Sequence, residues 1–187
     1  MFDTDSFLAD CVSAAREPDA RLAVKEVLAR ATADPAAMAR TLPPERAGIT
    51  KLHVSPEVTV LQVVWAPGMS FGPHDHRMWA AIGIYTGRED NTMYRRIGAE
   101  PRHLTESGGQ SLDEGDVLLL GDDVIHSVSN TLTRLTGAIH VYGGDFVHEP
   151  RSQWGPGPRE ERPFDFDEAG QQFAEANEAW REASASG

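Results

Sequence analysis

Cysteine is all but missing from this 187-residue chain, where Cys11 stands alone. A single thiol excludes an intramolecular disulfide and any thiolate-rich zinc site, and it fits a reducing cytosol. Basic side chains are scarce too, 17 against 29 acidic ones, for a net charge of −12. Phosphate backbones are bound through clustered Lys and Arg, so nucleic acid is not an expected partner. The acids gather toward the two ends, which points to solvated surface rather than to a site. Long apolar runs are absent, and none approaches the roughly 18 residues of a membrane span. The start, MFDTDSFLAD, lacks the basic residues of a secretion signal. A soluble, cytoplasmic protein with no membrane partner is the expectation.

What is present fits one domain with one core. A chain of this length buries about 70% of its unfolded surface, so neither a disulfide nor a structural metal is needed to hold it together. Any metal would then be functional.

Three regions follow from the pattern. Residues 1–48 read as a helical extension: Phe7, Leu8, Cys11, Val12 and Ala15 recur at helical spacing, and Leu22, Val24, Val27 and Leu28 follow Pro18. Asp34-Pro35 has the form of a helix start, and Pro43-Pro44 closes the segment. Residues 49–147 change character, with short Val-, Ile-, Leu-, Thr- and Tyr-rich runs at 58–65, 78–85, 91–97, 116–120, 126–130 and 135–143. Turns are expected at Pro67-Gly68, Gly87, Ser107-Gly108-Gly109, Gly121 and Gly143-Gly144. Such spacing predicts an all-β sandwich or barrel. Residues 148–187 read as a Pro/Gly-rich linker, Trp154 to Pro163, and a last helix whose Phe166, Ala169, Phe173, Ala176 and Trp180 share a face. The ASASG end is expected to fray.

The chemistry lies in Gly68-Met-Ser-Phe-Gly-Pro-His74-Asp-His76. Histidines at i and i+2 of a strand project to one side, where a single metal ion can take both. Downstream, the segment from Gly115 to Asn130 supplies His126 just after a turn.

Together these stretches resemble the two motifs of the cupin superfamily. Gly68, His74, His76, Gly87, Gly115, His126 and Asn130 match in type and spacing, while Gly121 and Asp123 depart from the second motif. The resemblance implies a cupin double-stranded β-helix, a small jelly-roll barrel with a metal at its centre. Where cupins place a glutamate ligand this chain has Ala80 and Ala81. Three neutral imidazoles would leave a dication its full charge and open positions, suited to chelating anions.

Within the cupins such a site is similar to the thiol dioxygenases, the cysteine and 3-mercaptopropionate dioxygenase group. Further likeness comes from the Trp65 strand, Gly87-Arg-Glu-Asp-Asn-Thr-Met-Tyr-Arg95 and His140-Val-Tyr142-Gly-Gly-Asp. The resemblance implies that iron(II), with zinc, nickel or manganese as alternatives, sits on His74, His76 and His126. It implies that Tyr142 stands beside the substrate and O₂, oriented by His140, with Ala138 in place of the family's serine. No cysteine near Ala81 is present to crosslink the tyrosine. An anionic group of the substrate would be held by Lys51, aligned back from Trp65, or by its rival Arg77. Trp65 reads equally as core or pocket wall, and Gln62, Asn91, Arg95 and Arg96 could serve the barrel rim or a ligand.

The expected activity is oxidation of a small anionic thiol to its sulfinate by a monomer or homodimer. The alternatives are a cupin oxygenase or lyase acting on a non-thiol chelator, and a non-catalytic metal- or ligand-binding cupin.

Overall fold

A computed structural model describes residues 2–98, 103–155 and 160–185. Three helices come first: α1 (Thr4–Ala14), α2 (Ala20–Thr32) and α3 (Pro35–Thr41). Asp3 accepts from the backbone N–H groups of Asp5 and Ser6, and Asp34 accepts from that of Ala37, with Pro35 in the first turn. Each short acid satisfies donors that a helix start leaves free, so the helices begin where the sequence provides the cap.

The β region follows as β1 (Gly48–Val54), β2 (Thr59–Trp65), β3 (Ser70–Asp75), β4 (Ala80–Thr86), β5 (Arg88–Ile97), β6 (His103–Asp113), β7 (Val117–Leu120), β8 (Ile125–Ser129) and β9 (Thr136–Tyr142). Short β10 (Ser152–Trp154) and β11 (Glu161–Pro163) precede the last helix, α4 (Phe166–Ala185). Two sheets result, in the orders β1-β2-β9-β4-β7 and β11-β10-β3-β8-β5-β6. The antiparallel partners nest: β2 with β9, β3 with β8, β4 with β7, β5 with β6. The strands form one long hairpin whose arms cross from sheet to sheet as they run. A hairpin wound in this way is a double-stranded β-helix, the fold expected of a cupin, here with helices before and after it.

Helices α1 to α3 cover the outer face of the five-stranded sheet, and the second sheet covers its inner face. Val60, Ala81, Tyr85, Ile139 and Val141 point out against Phe7, Cys11, Val24, Leu28 and Met38. Leu61, Val63, Trp65, Ile82, Ala138 and Tyr142 point in. Burial on both sides explains why β2, β4 and β9 read as continuous apolar runs rather than alternating ones. Tyr85 lies across Gly137, where an added Cβ would stand 2.5 Å from the ring carbon that bears the hydroxyl. Gly87 turns β4 into β5 at a φ of 80°, a left-handed conformation that suits glycine.

Two expectations are corrected. Ser107-Gly108-Gly109 is no turn: it lies inside β6, where the pairing with β5 shifts register between Met93 and Tyr94. Glycine here serves an irregular strand, which turn composition alone does not separate from a loop. The expected linker forms strands at its ends, with β10 paired to β11 and joined to β3 through Gln153 opposite His74. Residues 156–159 of that stretch, and the last two of the ASASG end, lie outside the described residues.

Helix α4 returns over the open end of the β region. Ala169 and Phe173 enter the inner core, and the buried Asn177 amide accepts from the Ala47 N–H and donates to the Ala47 and Phe173 carbonyls. Among the described residues no helix is long and apolar enough to cross a membrane.

Candidate metal centre

Strands β3 and β8 are neighbours, with His74 directly opposite His126. Opposed residues of an antiparallel pair share a face, and His76 lies two residues further along on the same side. All three rings are buried. His76 Nε2 lies 3.3 Å from His74 Nε2 and 3.1 Å from His126 Nε2. A metal–nitrogen distance of about 2.1 Å separates ligand nitrogens by about 3.0 Å at a right angle and about 3.4 Å at a tetrahedral one, so these spacings suit a shared ion.

Two of the rings are also held in the ligating orientation. His74 Nδ1 donates to the Gly72 carbonyl at 3.0 Å, and His126 Nδ1 donates to Asn91 Oδ1 at 2.7 Å. A proton held on Nδ1 leaves the Nε2 lone pair facing the centre. Burial, reinforced by neighbouring positive groups, lowers the pKa of His74 to about 4 and holds His76 and His126 well below their ordinary value. Neutral imidazole is the ligand form, and lone pairs converging on one point repel until a cation lies between them. The residues fit a divalent metal.

Among the described residues the grouped ligands are these three histidines, and Ala80 and Ala81, at the place of the cupin glutamate, are buried on β4. Asp75, between the two β3 histidines, is engaged elsewhere: it accepts from the Ser152 N–H at 2.7 Å and pairs with Arg77 and Arg96.

One carboxylate does reach the centre indirectly. Glu89, fully buried on β5, accepts from Trp65 Nε1 at 2.9 Å, from Asn91 Nδ2 at 3.1 Å and from His140 Nε2 at 3.1 Å. His140 Nδ1 in turn lies 3.1 Å from the Tyr142 hydroxyl. Burial pushes the Glu89 carboxyl up, but its three donors, His140 foremost, outweigh that and hold it below the usual carboxylate range. Burial raises the Tyr142 phenol, which keeps its proton.

Above the histidines is a cavity of about 30 Å³, enough for a water-sized occupant. His74, His126, His140 and Tyr142 form its polar wall, and Phe146, Phe164, Phe166 and Phe173 enclose it. Arg151 lies behind two of these rings, its guanidinium carbon 3.8 Å from the Phe146 centroid and 3.9 Å from that of Phe164. Nη1 donates to the Phe146 and Glu149 carbonyls, whereas Nε and Nη2 are buried with no partner among the described residues. Burial lowers its pKa to about 10, so it remains a cation near neutrality.

Of the expected residues, His74, His76, His126, His140, Tyr142 and Trp65 come together. Lys51 and Arg77 do not join them at the cavity. Lys51 is exposed on β1, its Nζ 5.1 Å from the outer side of the roof at the Phe166 ring centroid. Arg77 pairs with Asp75 at 2.9 Å with its side chain 45% exposed. Sequence reasoning missed Glu89, which bonds His140 and Asn91, and Arg151, which stacks behind the roof. Glu89 carried a signal in its alternation with Asn91 along β5, which turns both to the same side. Arg151 follows β9 in an irregular segment with no period to single it out.

No protein-family model matches the chain. Solved structures of similar shape include a Bacillus halodurans protein, 16% identical with a TM-score of 0.48, covering 58% of this chain and 77% of its own. Another is a double-stranded β-helix cupin of Methanocaldococcus jannaschii, at 14% identity and a TM-score of 0.44, covering 54% and 82%. A cupin superfamily protein of Desulfitobacterium hafniense is 16% identical with a TM-score of 0.43, covering 54% and 80%. Likeness at these levels assigns no role to any residue.

Proposed function

We propose that the protein is a mononuclear non-haem iron dioxygenase that converts a small anionic thiol to its sulfinate. The observation that carries this reading is a set of three neutral imidazoles, with no carboxylate ligand among the described residues, facing an aromatic-roofed cavity with a phenol on its wall. Iron(II) on His74, His76 and His126 would supply a place where thiolate sulfur and dioxygen meet and exchange electrons. The balance closes without a reductant: sulfur gives up four electrons, O₂ takes four, and both oxygen atoms end on sulfur.

The chain's own groups divide the remaining work. Arg151, buried behind the Phe146 and Phe164 rings with Nε and Nη2 unpartnered, would meet the carboxylate of a short thiol acid once those rings move, whereas Lys51 is exposed and Arg77 is taken by Asp75. With its Nε2–H given to Glu89, His140 has Nδ1 free to accept from the Tyr142 hydroxyl, which holds the phenol at the cavity wall. The aromatic roof makes the surroundings less polar and so strengthens each of these contacts. Because the cavity is smaller than any such thiol, the roof must shift to admit one.

The test is oxygen consumption after anaerobic loading with Fe²⁺, using 3-mercaptopropionate, cysteine and cysteamine. One O₂ per thiol consumed, with a sulfinate as product, is the expected result. Absence of uptake with all three thiols by protein that has taken up iron overturns the reading, and uptake with diketones or hydroxy acids instead would replace it.

A further inference from the structure

Resting on the three-histidine centre above, we propose that Glu89, which touches no ligand, is a positioning residue that fixes the proton of His126 on Nδ1 through the Asn91 amide. Nε2 of His126 is thereby kept free for the metal.

The chain of polarity begins at Trp65, whose indole N–H can donate but never accept; it meets Glu89 Oε2 at 2.9 Å. A carboxylate has no proton to give, so whatever faces Oε1 must be a donor, and Asn91 turns its NH₂ there at 3.1 Å. The amide oxygen is then left for His126, whose Nδ1 lies 2.7 Å away and must carry the hydrogen. Glu89, Asn91 and His126 are at most 3% exposed, so water does not reset any link. His74 needs no such device, because a backbone carbonyl, that of Gly72, fixes its tautomer. The two ends of an asparagine amide are nearly alike in shape, and Asn91 alone would leave His126 undecided. Glu89 decides it.

An isosteric change exposes the mechanism. In Glu89→Gln, Trp65 still demands an oxygen, so the new NH₂ falls opposite Asn91. Asn91 must rotate its amide, present NH₂ to His126 and drive the imidazole proton onto Nε2, toward the metal. His140 still finds an oxygen to accept its Nε2–H, so that branch is undisturbed. Adding Asn91→Asp restores the polarity: the introduced amide donates to one oxygen of the introduced carboxylate, and His126 Nδ1–H donates to the other.

The experiment measures Co²⁺ and Zn²⁺ affinity by chelator competition, with thermal melts, on wild type, His126→Ala, Glu89→Gln and the Glu89→Gln/Asn91→Asp double variant. Glu89→Gln is expected to stay folded and bind about 10–100-fold more weakly, the usual effect of disturbing a ligand's outer hydrogen bond. The double variant is expected to recover to within about threefold of wild type. Glu89→Gln affinity equal to wild type overturns the inference and leaves the three-histidine centre standing, as does a folded double variant that fails to recover. If wild type binds neither ion, or His126→Ala binds as well as wild type, the centre itself is overturned. A measurement on the native chain makes the inference independent of variant folding: long-range ¹H–¹⁵N correlation of the metal-free protein should find the His126 proton on Nδ1, and finding it on Nε2 overturns the proposal.

Discussion

Glu89 and His140 meet across the core, Oε2 to Nε2 at 3.1 Å, the acid carried by the six-stranded sheet and the imidazole by the five-stranded one. The same oxygen takes the Trp65 N–H from the imidazole's side of the barrel. This bond joins the sheets within a buried network that also holds Asn91, His126 and Tyr142. Removing the acid strands three buried donors, those of Trp65, Asn91 and His140, so Glu89→Leu should cost about 3–5 kcal/mol. At roughly 2–4 °C per kcal/mol, the melting temperature should fall by about 6–20 °C. A melt within about 2 °C of wild type would show that the bond contributes little.

Metal removal should be visible in the same assay. An ion present at a hundred times its dissociation constant stabilises the native state by about 2.7 kcal/mol, or roughly 5–11 °C. Differential scanning fluorimetry with and without a chelator should show this shift for wild type and lose it for His74→Ala. A shift that survives His74→Ala would place the ion elsewhere.

Turnover should depend on the phenol without the metal doing so. Tyr142→Phe is expected to lower kcat by about 10²–10⁴, the usual size of a lost proton donor, with iron content per chain unchanged. Equal loss of iron would make Tyr142 a structural support of His76, whose ring centroid is 5.1 Å from its own.

Arg151→Met should raise KM for 3-mercaptopropionate by about 10–150-fold, corresponding to a lost charge-assisted contact of about 1.5–3 kcal/mol. Cysteamine has no carboxylate and should be affected far less. Arg151→Lys should not restore the loss, because a point charge does not reproduce a planar fork. Equal effects on both thiols would remove Arg151 from the anchoring role.

Cys11 is buried against the helices, and burial lifts its thiol from an ordinary value of 9.0 to about 12. The sign follows from proton binding: above about pH 9 the unfolded chain gives up this proton while the folded chain keeps it. This contribution to stability is full below pH 9 and is lost as pH rises toward 12. Native protein at pH 8 should resist iodoacetamide and react only once unfolded, which mass spectrometry will show. Rapid native alkylation would contradict the burial.

The convergence of the three histidines was legible because their chemistry and their geometry coincide in sequence: His-x-His fixes a face by strand alternation, and the second motif supplies its cross-strand partner. The helix starts were legible for a similar reason, since Asp3 and Asp34 act within three residues of themselves. Contacts between distant segments left no such trace. Glu89 reaches Trp65 and His140 over 24 and 51 positions, and only the winding of the hairpin brings them together. Ala138 stands where the resemblance implies a serine, yet His140 is held by a carboxylate from the opposite sheet. Strand β6 was hidden by its composition, because a strand whose side chains are mostly in water carries polar residues and glycine like a loop.

The pairing of His74 with His126 is a rung of a β-ladder. Were β8 to slide by one residue, Ile125 or Ser127 would take the inward position and the third nitrogen would be lost. A chain assembled one step out of alignment would keep two of the three nitrogens and gain less from an ion, while the correctly aligned chain would gain all of its binding free energy. An ion held by these three residues would select among near-native arrangements as well as serve the chemistry of the finished one.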